Sequence, residues 1–466
     1  MACEKKSVSN FAVKVGFVLL AGCILGPITL ATMLRNHAVP LQTLSLLFSV
    51  GSASSVTWGE ERISSHRSGR NEGPVLCDFT SSRSDVCELK GDVRILPNAT
   101  IIHHHPSARH RSWRMKPHAR KNDPHALAHV TSVTISSSHA AADPSAPRCT
   151  ANHTAPAVLF SAGGYAGNMF HDLTDVLVPL FITTRRLGLG GGADAAHLLV
   201  RDAPPGWLDR FRPLLRGLSS HDAVDMDRAG NSGGGSVLCY PHVVVGLEFH
   251  KEMSVDATKT SGKYSMADFA LLARRSYGLT RDTAIRLSAA AGHRRRPRLL
   301  LISRKSTRAF TNAGAVARAA AAAGYEVVVG EPSARERDLA PFARVVNSCD
   351  VLVGVHGAGL ANLVFLPAGA VVVQVVPLGG MDAMAAEDFG APARDAGLRY
   401  VHYGVAVEES TLAGRYPREH RVLRDPAAVR REGWVAYREA YLVGQNVTID
   451  VRRFRGALRR AMELLR

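Results

Sequence analysis

Residues 353–362, VGVHGAGLAN, form the segment of the chain best suited to binding a ligand. Its glycines let the backbone turn sharply after a strand and approach a ligand closely, and the N–H groups that begin the next helix can bind a phosphate. A tight turn without a ligand is the alternative interpretation. Polar side chains that packing does not require favour the ligand. The candidate binding residues are His356, Gly357, Ala358, Gly359 and Asn362.

Three cations follow the apolar run RLLLIS in the same half of the chain, and they are Arg304, Lys305 and Arg308. A solvated basic loop is the commoner origin of such a cluster. Guanidinium groups, however, match the geometry of phosphate oxygens. Two loops suited to phosphate in one half of the chain therefore favour a nucleotide diphosphate as the ligand.

The other half of the chain contains a candidate general base in the segment SAGGYAGNMFHDLTD, residues 161–175. His171 and Asp175 lie four residues apart, which places them on one face of a predicted helix. There a carboxylate can orient an imidazole, or act beside it, when a proton is removed from a substrate. A cluster that only caps the helix is the alternative.

A second acidic motif, Asp225-Met226-Asp227, has a spacing that could hold Mn or Mg against a nucleotide diphosphate. It follows a short predicted strand and precedes a glycine-rich run, so we interpret it as the polar end of a hairpin. Because Arg304 and Lys305 could neutralise a diphosphate by themselves, we predict that the protein needs no metal.

These residues must be held at strand ends in an α/β fold. From residue 155 onward, runs of Val, Leu and Ile alternate with amphipathic segments, which is typical of a parallel sheet covered by helices on both faces. Two such units, about 155–292 and 298–466, are joined near the basic segment HRRRPR. The pattern predicts two Rossmann-like domains facing across a cleft, with ligands at the carboxyl ends of the strands.

The composition is that of a folded protein with anionic partners. Of the 466 residues, 46% are hydrophobic and 21% are charged, which excludes wholesale disorder, collagen and a coiled coil. The formal net charge of +17 favours nucleic acid, anionic lipid, acidic polysaccharide or a phosphorylated small molecule. Charge alone does not choose among these partners.

The N-terminal segment predicts the compartment. Residues 15–34 carry no charge and are long enough to span a bilayer core of about 30 Å. Lysines precede this run and only Arg35 follows closely, which places residues 1–14 in the cytosol and the remainder across the membrane. A cleaved signal peptide is the alternative, and in either case the body is lumenal or secreted. Residues 35–74, rich in Ser and Gly, are predicted to form a stem.

Sequons and cysteines agree with a lumenal body, where nucleic acid is not an expected partner. The predicted glycosylation sites are Asn98, Asn152 and Asn446. Cys77 and Cys87 are close in sequence and flank a polar turn, so we predict that they pair. The odd number of cysteines beyond the membrane segment leaves one thiol free or intermolecular.

A stretch from about His103 to Pro147 is rich in histidine and basic residues, and we interpret it as a solvated insertion. The run His103 to His105 could instead ligate a metal such as zinc, or the stretch could bind a polyanion.

Many segments from about residue 75 to the C-terminus together resemble the plant members of glycosyltransferase family 61. The stretch CDFTSSRSDVCELKGDVRI, with its cysteine pair, also resembles the beginning of that family's catalytic domain. The segments are GGYAGNMFHDLTDVLVPLFITTRRL, YPHVVVGLEFHKE, YSMADF, LLISRKSTRAFTN, NSCDVLVGVHGAGLANLVFLPAGAVVVQVVPLG, DFGAPARDAGLRYVHY, AVEESTL and GQNVTID.

The resemblance implies a GT-B-like architecture in a single-pass type II Golgi membrane protein with a lumenal catalytic domain. It implies inverting transfer from a UDP-sugar without a metal. His171 and Asp175 carry over as active-site residues, with Asp175 preferred as the base, while the HGAGL segment carries over as the nucleotide-sugar loop and Arg304 as the diphosphate cation. Residues 75–292 would then form the acceptor and base domain, and residues 293–466 the nucleotide-sugar domain.

Within plants, members of this family add arabinofuranosyl or xylosyl branches to xylan during cell-wall synthesis, and the chain resembles that group more than the branch acting on N-glycan cores. We therefore expect a UDP-pentose donor and a xylan acceptor. The alternatives are a transferase for glycoprotein glycans, of the N-glycan core xylose type, and a non-catalytic membrane protein that binds polyanions.

Overall fold

The computed structural model describes residues 75–108, 110–138, 147–188, 195–231, 236–287, 295–331 and 337–466. The predicted cytosolic tail, membrane anchor and stem lie outside these ranges and stay predictions. Within them, no helix has both the length and the apolar character that crossing a membrane requires.

The first sheet is mixed and, among the described residues, has ten strands. Its main path runs β4-β5-β3-β2-β10-β7-β8-β9, with β1 beside β2 and β6 beside β10. The strands β7 to β10 pair in parallel where they meet, whereas β2 pairs antiparallel with β1, β3 and β10. The strands are β1 (Val75–Asp78), β2 (Val86–Ile95), β3 (Thr100–His104), β4 (Arg111–Met115), β5 (Val133–Ser138), β6 (Ala151–Asn152), β7 (Ala157–Ser161), β8 (His197–Arg201), β9 (Val224–Asp225) and β10 (Leu238–Val245).

The second sheet is parallel throughout, in the order β12-β11-β13-β14-β15. Every residue of β13 and β14 is buried, because helices cover both faces of the sheet's centre and leave the uninterrupted valine runs no contact with water. The strands are β11 (Arg298–Ile302), β12 (Glu326–Gly330), β13 (Val351–Val355), β14 (Val371–Val376) and β15 (Arg399–Gly404).

Helices connect these strands, and most are short. The α-helices are α1 (Pro124–Leu127), α2 (Met169–His171), α3 (Val178–Arg186), α4 (Trp207–Leu218), α5 (Met226–Asn231), α6 (Met266–Ser276), α7 (Ala313–Ala322), α8 (Ala340–Asn347), α9 (Asp382–Ala385), α10 (Ala391–Asp395), α11 (Arg421–Arg424), α12 (Pro426–Arg431), α13 (Trp434–Tyr437) and α14 (Val451–Leu464). Turns of π-helix span Asp172–Leu177, Ala386–Gly390 and Arg438–Val443, and 3₁₀ turns span Ala257–Lys259, Ala358–Phe365, Val407–Glu409 and Thr411–Gly414.

The two sheets share a hydrophobic core. One cluster of buried apolar side chains includes Phe160 from β7, Phe269 from α6, Leu300 from β11 and Leu363 from the turn after β13. The described residues accordingly belong to one compact unit. The predicted boundary at residue 292 falls outside the described ranges, so the division into domains 75–292 and 293–466 stays a prediction.

The prediction of a solvated insertion between His103 and Pro147 is wrong for the described part of that stretch. It contains the end of β3 and the strands β4 and β5, which extend the first sheet. In β5, Val133, Ile135 and Ser137 alternate inward, a period of two that marks a half-buried strand. His103 is buried, and its two ring nitrogens form hydrogen bonds with Ser137 Oγ and the Lys90 carbonyl rather than facing an ion.

Two disulfides stabilise the first sheet, one between β1 and β2 and the other between the chain just before β6 and β10. The predicted pair, Cys77 and Cys87, is bonded, and so are Cys149 and Cys239, while Cys349 is a buried free thiol. The only group in the described ranges with the spacing of metal ligands consists of Asp92 and the second disulfide pair. Because both of its sulfurs are oxidised, that group has no thiolate to offer a metal.

The predicted glycosylation sites differ in accessibility. Asn98 and Asn152 are exposed. Asn446 is half-buried, and its side-chain oxygen accepts a hydrogen bond of 2.9 Å from the Ala309 N–H. Of the three sequons, the first two therefore present their asparagine at the surface, where Oδ1 of Asn98 accepts a local hydrogen bond of 3.1 Å from the Thr100 N–H.

Candidate active site

The helical segment that follows β7 carries the candidate base. Asn168 caps α2 by accepting a hydrogen bond from the Phe170 N–H, and the chain then continues through a π-helical turn into α3. Nδ1 of His171 lies 2.9 Å from Oδ2 of Asp175. The imidazole is 21% exposed and the carboxylate 1% exposed, so the histidine presents its ring to solvent while the aspartate lies beneath it.

Two arginines from elsewhere in the chain also hold Asp175. Nε of Arg120, which follows β4, donates to Oδ2 at 2.8 Å. Nη2 of Arg83, from the loop between β1 and β2, lies 3.6 Å from Oδ1. Burial acts to raise the pKa of Asp175, but the hydrogen bond from His171 and the charge of Arg120 outweigh it and hold the pKa below its usual range. Asp175 is therefore a buried, fully ionised carboxylate at neutral pH.

Glu252 completes this cluster from the loop after β10. It lies 2.7 Å from Nη1 of Arg83 and accepts a hydrogen bond of 2.9 Å from the Thr174 hydroxyl. Two carboxylates thus face two guanidinium groups beneath His171, which offsets the cost of burying each charge. We call Arg83, Arg120, His171, Asp175 and Glu252 the base cluster.

Sequence reasoning found only the His171 and Asp175 pair of the base cluster. Arg83 and Glu252 stand within the segments that resemble the family, CDFTSSRSDVC and YPHVVVGLEFHKE, so a signal for them existed. Arg120 lies in the basic stretch interpreted as a solvated insertion, and nothing in its spacing pointed to Asp175.

The second candidate site lies at the carboxyl end of β13. The His356 side chain is buried, and its Nδ1 lies 2.9 Å from Nε2 of Gln374. Oε1 of that glutamine accepts from the Tyr400 hydroxyl, which fixes the amide as a donor to Nδ1 and leaves the proton of the imidazole on Nε2. Burial, followed by the charges of Arg308 and Arg304, lowers the pKa of His356 to about 3, so the ring is neutral.

Two guanidinium groups lie against the turn that follows His356. Nη1 of Arg308 donates to the His356 carbonyl at 2.9 Å, and Nε of Arg304 donates to the Thr307 carbonyl at 2.8 Å. A Cβ added to Gly357, whose φ is +141°, would lie 2.7 Å from Nη1 of Arg304. Burial lowers the pKa of both arginines, and the charge of Arg304 helps to bring that of Arg308 to about 9. Two half-buried cations side by side form a site that an anion would stabilise.

The structure does not bring every predicted binding residue to this turn. The Lys305 side chain is 90% exposed and lies 3.4 Å from Glu331, so it belongs to the surface. Asn362 is buried, and its amide donates to the Gly359 carbonyl at 2.9 Å, which stabilises the 3₁₀ turn itself. Gly357, Ala358 and Gly359 supply backbone at the start of that turn. We call Arg304, Arg308 and residues 356–359 the cation loop.

Aromatic contacts bring the base cluster and the cation loop together. The Phe389 ring lies 5.3 Å from the ring of Phe170, which precedes His171, and 5.5 Å from the ring of His356. The neighbouring carboxyl of Asp388, which sequence reasoning missed, lies 3.8 Å from Nε2 of His356. Burial, together with the charges of Glu252 and Glu387, raises the pKa of Asp388 to about 7. Both sites therefore border one region around residues 388 and 389.

The structure thus places a His–Asp pair and a cation-lined turn near each other, each after a parallel strand. Comparison with known proteins gives the class of protein to which this site belongs. The family model Glycosyltransferase 61 matches residues 169–373. These residues include His171, Asp175 and the cation loop.

Individual relatives agree with the family model. The alpha-1,3-arabinosyltransferase XAT3 of Oryza sativa subsp. japonica is 39% identical over 434 residues, which are 92% of this chain and 72% of that protein. The beta-1,2-xylosyltransferase XYXT1 of the same species is 39% identical and covers 85% of each chain. The xylan glycosyltransferase MUCI21 of Arabidopsis thaliana is 30% identical over 86% of this chain and 81% of its own. The protein is a glycosyltransferase, and it belongs to glycosyltransferase family 61.

Proposed function

We propose that the protein transfers a pentose, arabinofuranose or xylose, from a UDP-sugar onto xylan with inversion. The observation that carries the proposal is the proximity of the base cluster and the cation loop, since the rings of Phe170 and His356 both pack against Phe389. It lets one sugar donor contact the cations while an acceptor hydroxyl contacts the base. The arabinosyl- and xylosyltransferase relatives support the choice of pentose, and the Arabidopsis relative is named for xylan.

His171 is the general base in this proposal, and Asp175 is a positioning residue. The structure favours this assignment of roles over the sequence-based preference for Asp175 as the base. Asp175 is almost fully buried and already accepts hydrogen bonds from His171 and Arg120. Its lowered pKa also makes it a weak proton acceptor. Nε2 of His171 has no hydrogen bond to any described residue, which leaves it for an acceptor hydroxyl.

The proposed step is a single displacement at the anomeric carbon of the donor sugar. The acceptor hydroxyl gives its proton to Nε2 of His171 as its oxygen attacks the anomeric carbon from the face opposite UDP. The bond between that carbon and the diphosphate oxygen breaks, and UDP leaves with the bonding electrons. Arg304 and Arg308 stabilise the charge on the departing diphosphate.

The architecture and location belong to the same proposal. We propose a GT-B-like arrangement in which residues 293–466 bind the nucleotide sugar and residues 75–292 bind the acceptor. Residues 15–34 would anchor the protein in the Golgi membrane with its body in the lumen.

The direct test is transfer by the purified full-length chain. We expect UDP release from UDP-xylose or UDP-arabinofuranose that depends on added xylo-oligosaccharide, together with a pentosylated product seen by mass spectrometry. Transfer to an N-glycan core glycopeptide but not to xylo-oligosaccharides would identify the glycoprotein alternative. Tight binding of acidic polysaccharide without transfer from any UDP-sugar would favour the non-catalytic alternative.

We expect transfer to continue in EDTA at a rate within about twofold of the untreated enzyme, because the cation loop supplies the positive charge that a metal otherwise provides.

The two carboxylates of the Asp-x-Asp motif form hydrogen bonds within the protein instead of facing a ligand. Asp225 ends β9 and accepts from the N–H groups that begin α5, rather than ending a hairpin as predicted. Asp227 accepts from Arg201 and from the Asp202 N–H.

Asp225→Asn serves as the control for this prediction, and we expect it to keep wild-type turnover in the presence and absence of EDTA. Complete loss of activity in EDTA that Mn restores, with an inactive Asp225→Asn variant, would contradict the metal-free mechanism.

A further inference from the structure

A cavity of about 400 Å³ lies beside the base cluster and has no part in the mechanism described above. It opens between the loop that follows β10 and the helical residues 387–395, and its walls include Phe249, Lys251, Glu387 and Asp395. A volume of this size is within the range of small-ligand sites, about 300–1,000 Å³.

The cavity is next to the chemistry because two residues belong to both. Arg83 and Glu252 line its wall, and they also lie in the base cluster, where Arg83 is 3.6 Å from Asp175. The cation loop contributes no residue to the lining. A molecule in the cavity would therefore lie on the side of the base rather than on the side of the diphosphate, which is where an acceptor must lie.

The charges of the wall disfavour an anion and suit an uncharged ligand with many hydroxyls. Three carboxylates, those of Glu252, Glu387 and Asp395, face the two cations Arg83 and Lys251, so the wall has no excess of positive charge. The carboxylates can accept hydrogen bonds and the lysine can donate them, whereas a hydroxyl can do both.

Parts of this wall are already held in place. Ser254 donates to Asp395 at 2.6 Å, and Lys251 lies 3.6 Å from the same carboxylate. The Arg83 guanidinium lies 4.6 Å from the centre of the Phe249 ring. A wall of polar groups fixed in this way is pre-organised for binding, because little side-chain freedom remains to be lost.

We infer that this cavity is an acceptor subsite, which binds a sugar unit of an uncharged oligosaccharide next to the unit that receives the pentose. The inference rests on the proposed function for the identity of the acceptor. Glu387 and Asp395 accept hydrogen bonds from the hydroxyls of that unit, and Lys251 donates one. The unit that reacts lies at His171, on the other side of Arg83 and Glu252.

The test fills the cavity by a substitution at a residue outside the base cluster. Ala391 lines the cavity at the start of α10, and Ala391→Phe adds a ring to it. We expect calorimetry to show at least about tenfold weaker binding of a long xylo-oligosaccharide, because the ring displaces the sugar unit and its hydrogen bonds with the wall. UDP affinity should stay at the wild-type value, which would show that the variant is folded. With xylose, a single unit that cannot occupy both positions, the rise in KM should be smaller.

Two further variants serve as a control and as a milder change to the same wall. Ala383→Phe makes the same change at an exposed position of α9 and should bind the oligosaccharide as the wild type does. Glu387→Gln keeps the shape of the wall but removes one charged acceptor, and should weaken oligosaccharide binding about three- to tenfold.

The outcomes separate this inference from the proposed function. Unchanged oligosaccharide affinity in Ala391→Phe, or a wild-type preference for glucuronic-acid-substituted over plain xylo-oligosaccharide, would overturn the subsite. Oligosaccharide binding that Ala391→Phe weakens, but with no pentose transfer by the wild type, would support the subsite and reject the proposed function.

Discussion

Replacing His171 with alanine should lower kcat by roughly 10²–10⁴-fold, the usual contribution of a positioned general base, while the dissociation constant for UDP stays near the wild-type value. The reason is that the two groups lie on different elements, since His171 lies on the helical segment after β7 and the cations proposed to bind UDP follow β11. Steady-state kinetics on a fixed xylo-oligosaccharide give kcat, and calorimetry gives UDP affinity. Added imidazole should restore part of the lost rate if the missing group is the base.

Asp175→Asn distinguishes the two assignments of the base. We expect it to lower kcat less than His171→Ala does, because it removes the orientation of the imidazole but leaves the imidazole itself. Its UDP affinity should also be unchanged. A mild effect of His171→Ala beside a complete loss in Asp175→Asn would make Asp175 the base, as the sequence first suggested.

Arg308→Ala should weaken UDP binding by about ten- to a hundredfold, because a charge-assisted hydrogen bond contributes about 1.5–3 kcal/mol. The same loss is expected for Arg304→Ala, since both guanidinium groups lie against the turn at Gly357. Titration calorimetry with UDP and with uridine measures the effect. Binding of uridine should change much less, because the cations are assigned to the diphosphate.

Lys305→Ala is the matched control, since it removes the same charge one residue from Arg304. Its side chain is 90% exposed and paired with Glu331, so UDP affinity should stay within about twofold of wild type. Equal losses in Lys305→Ala and Arg308→Ala would mean that the basic segment acts through its general charge, and that the cation loop is not the diphosphate site.

Much of the site could be predicted from the sequence because it depends on local spacing. The four-residue interval between His171 and Asp175 predicts that they share one face of a helix, and the structure has their side chains 2.9 Å apart. The valine runs of β13 and β14 indicated strands buried on both faces, and a strand end followed by His356 and Gly357 indicated where a ligand could approach. The resemblance to family 61 rests on the same local segments.

Only the tertiary structure decided which distant side chains join these local ones. Arg120 meets Asp175 across 55 residues of chain, because β4 and β5 extend the first sheet where sequence reasoning expected a solvated insertion. Sequence reasoning missed those strands because it relied on the many histidines and arginines of the stretch rather than on the alternation of Val133, Ile135 and Ser137. The direction of each side chain also could not be predicted from the sequence. Lys305 points to Glu331, whereas its neighbour Arg304 lies against Gly357. Spacing along the chain fixes contacts within one turn or strand, whereas contacts between elements depend on strand pairing and on the burial of charge, which the whole fold determines.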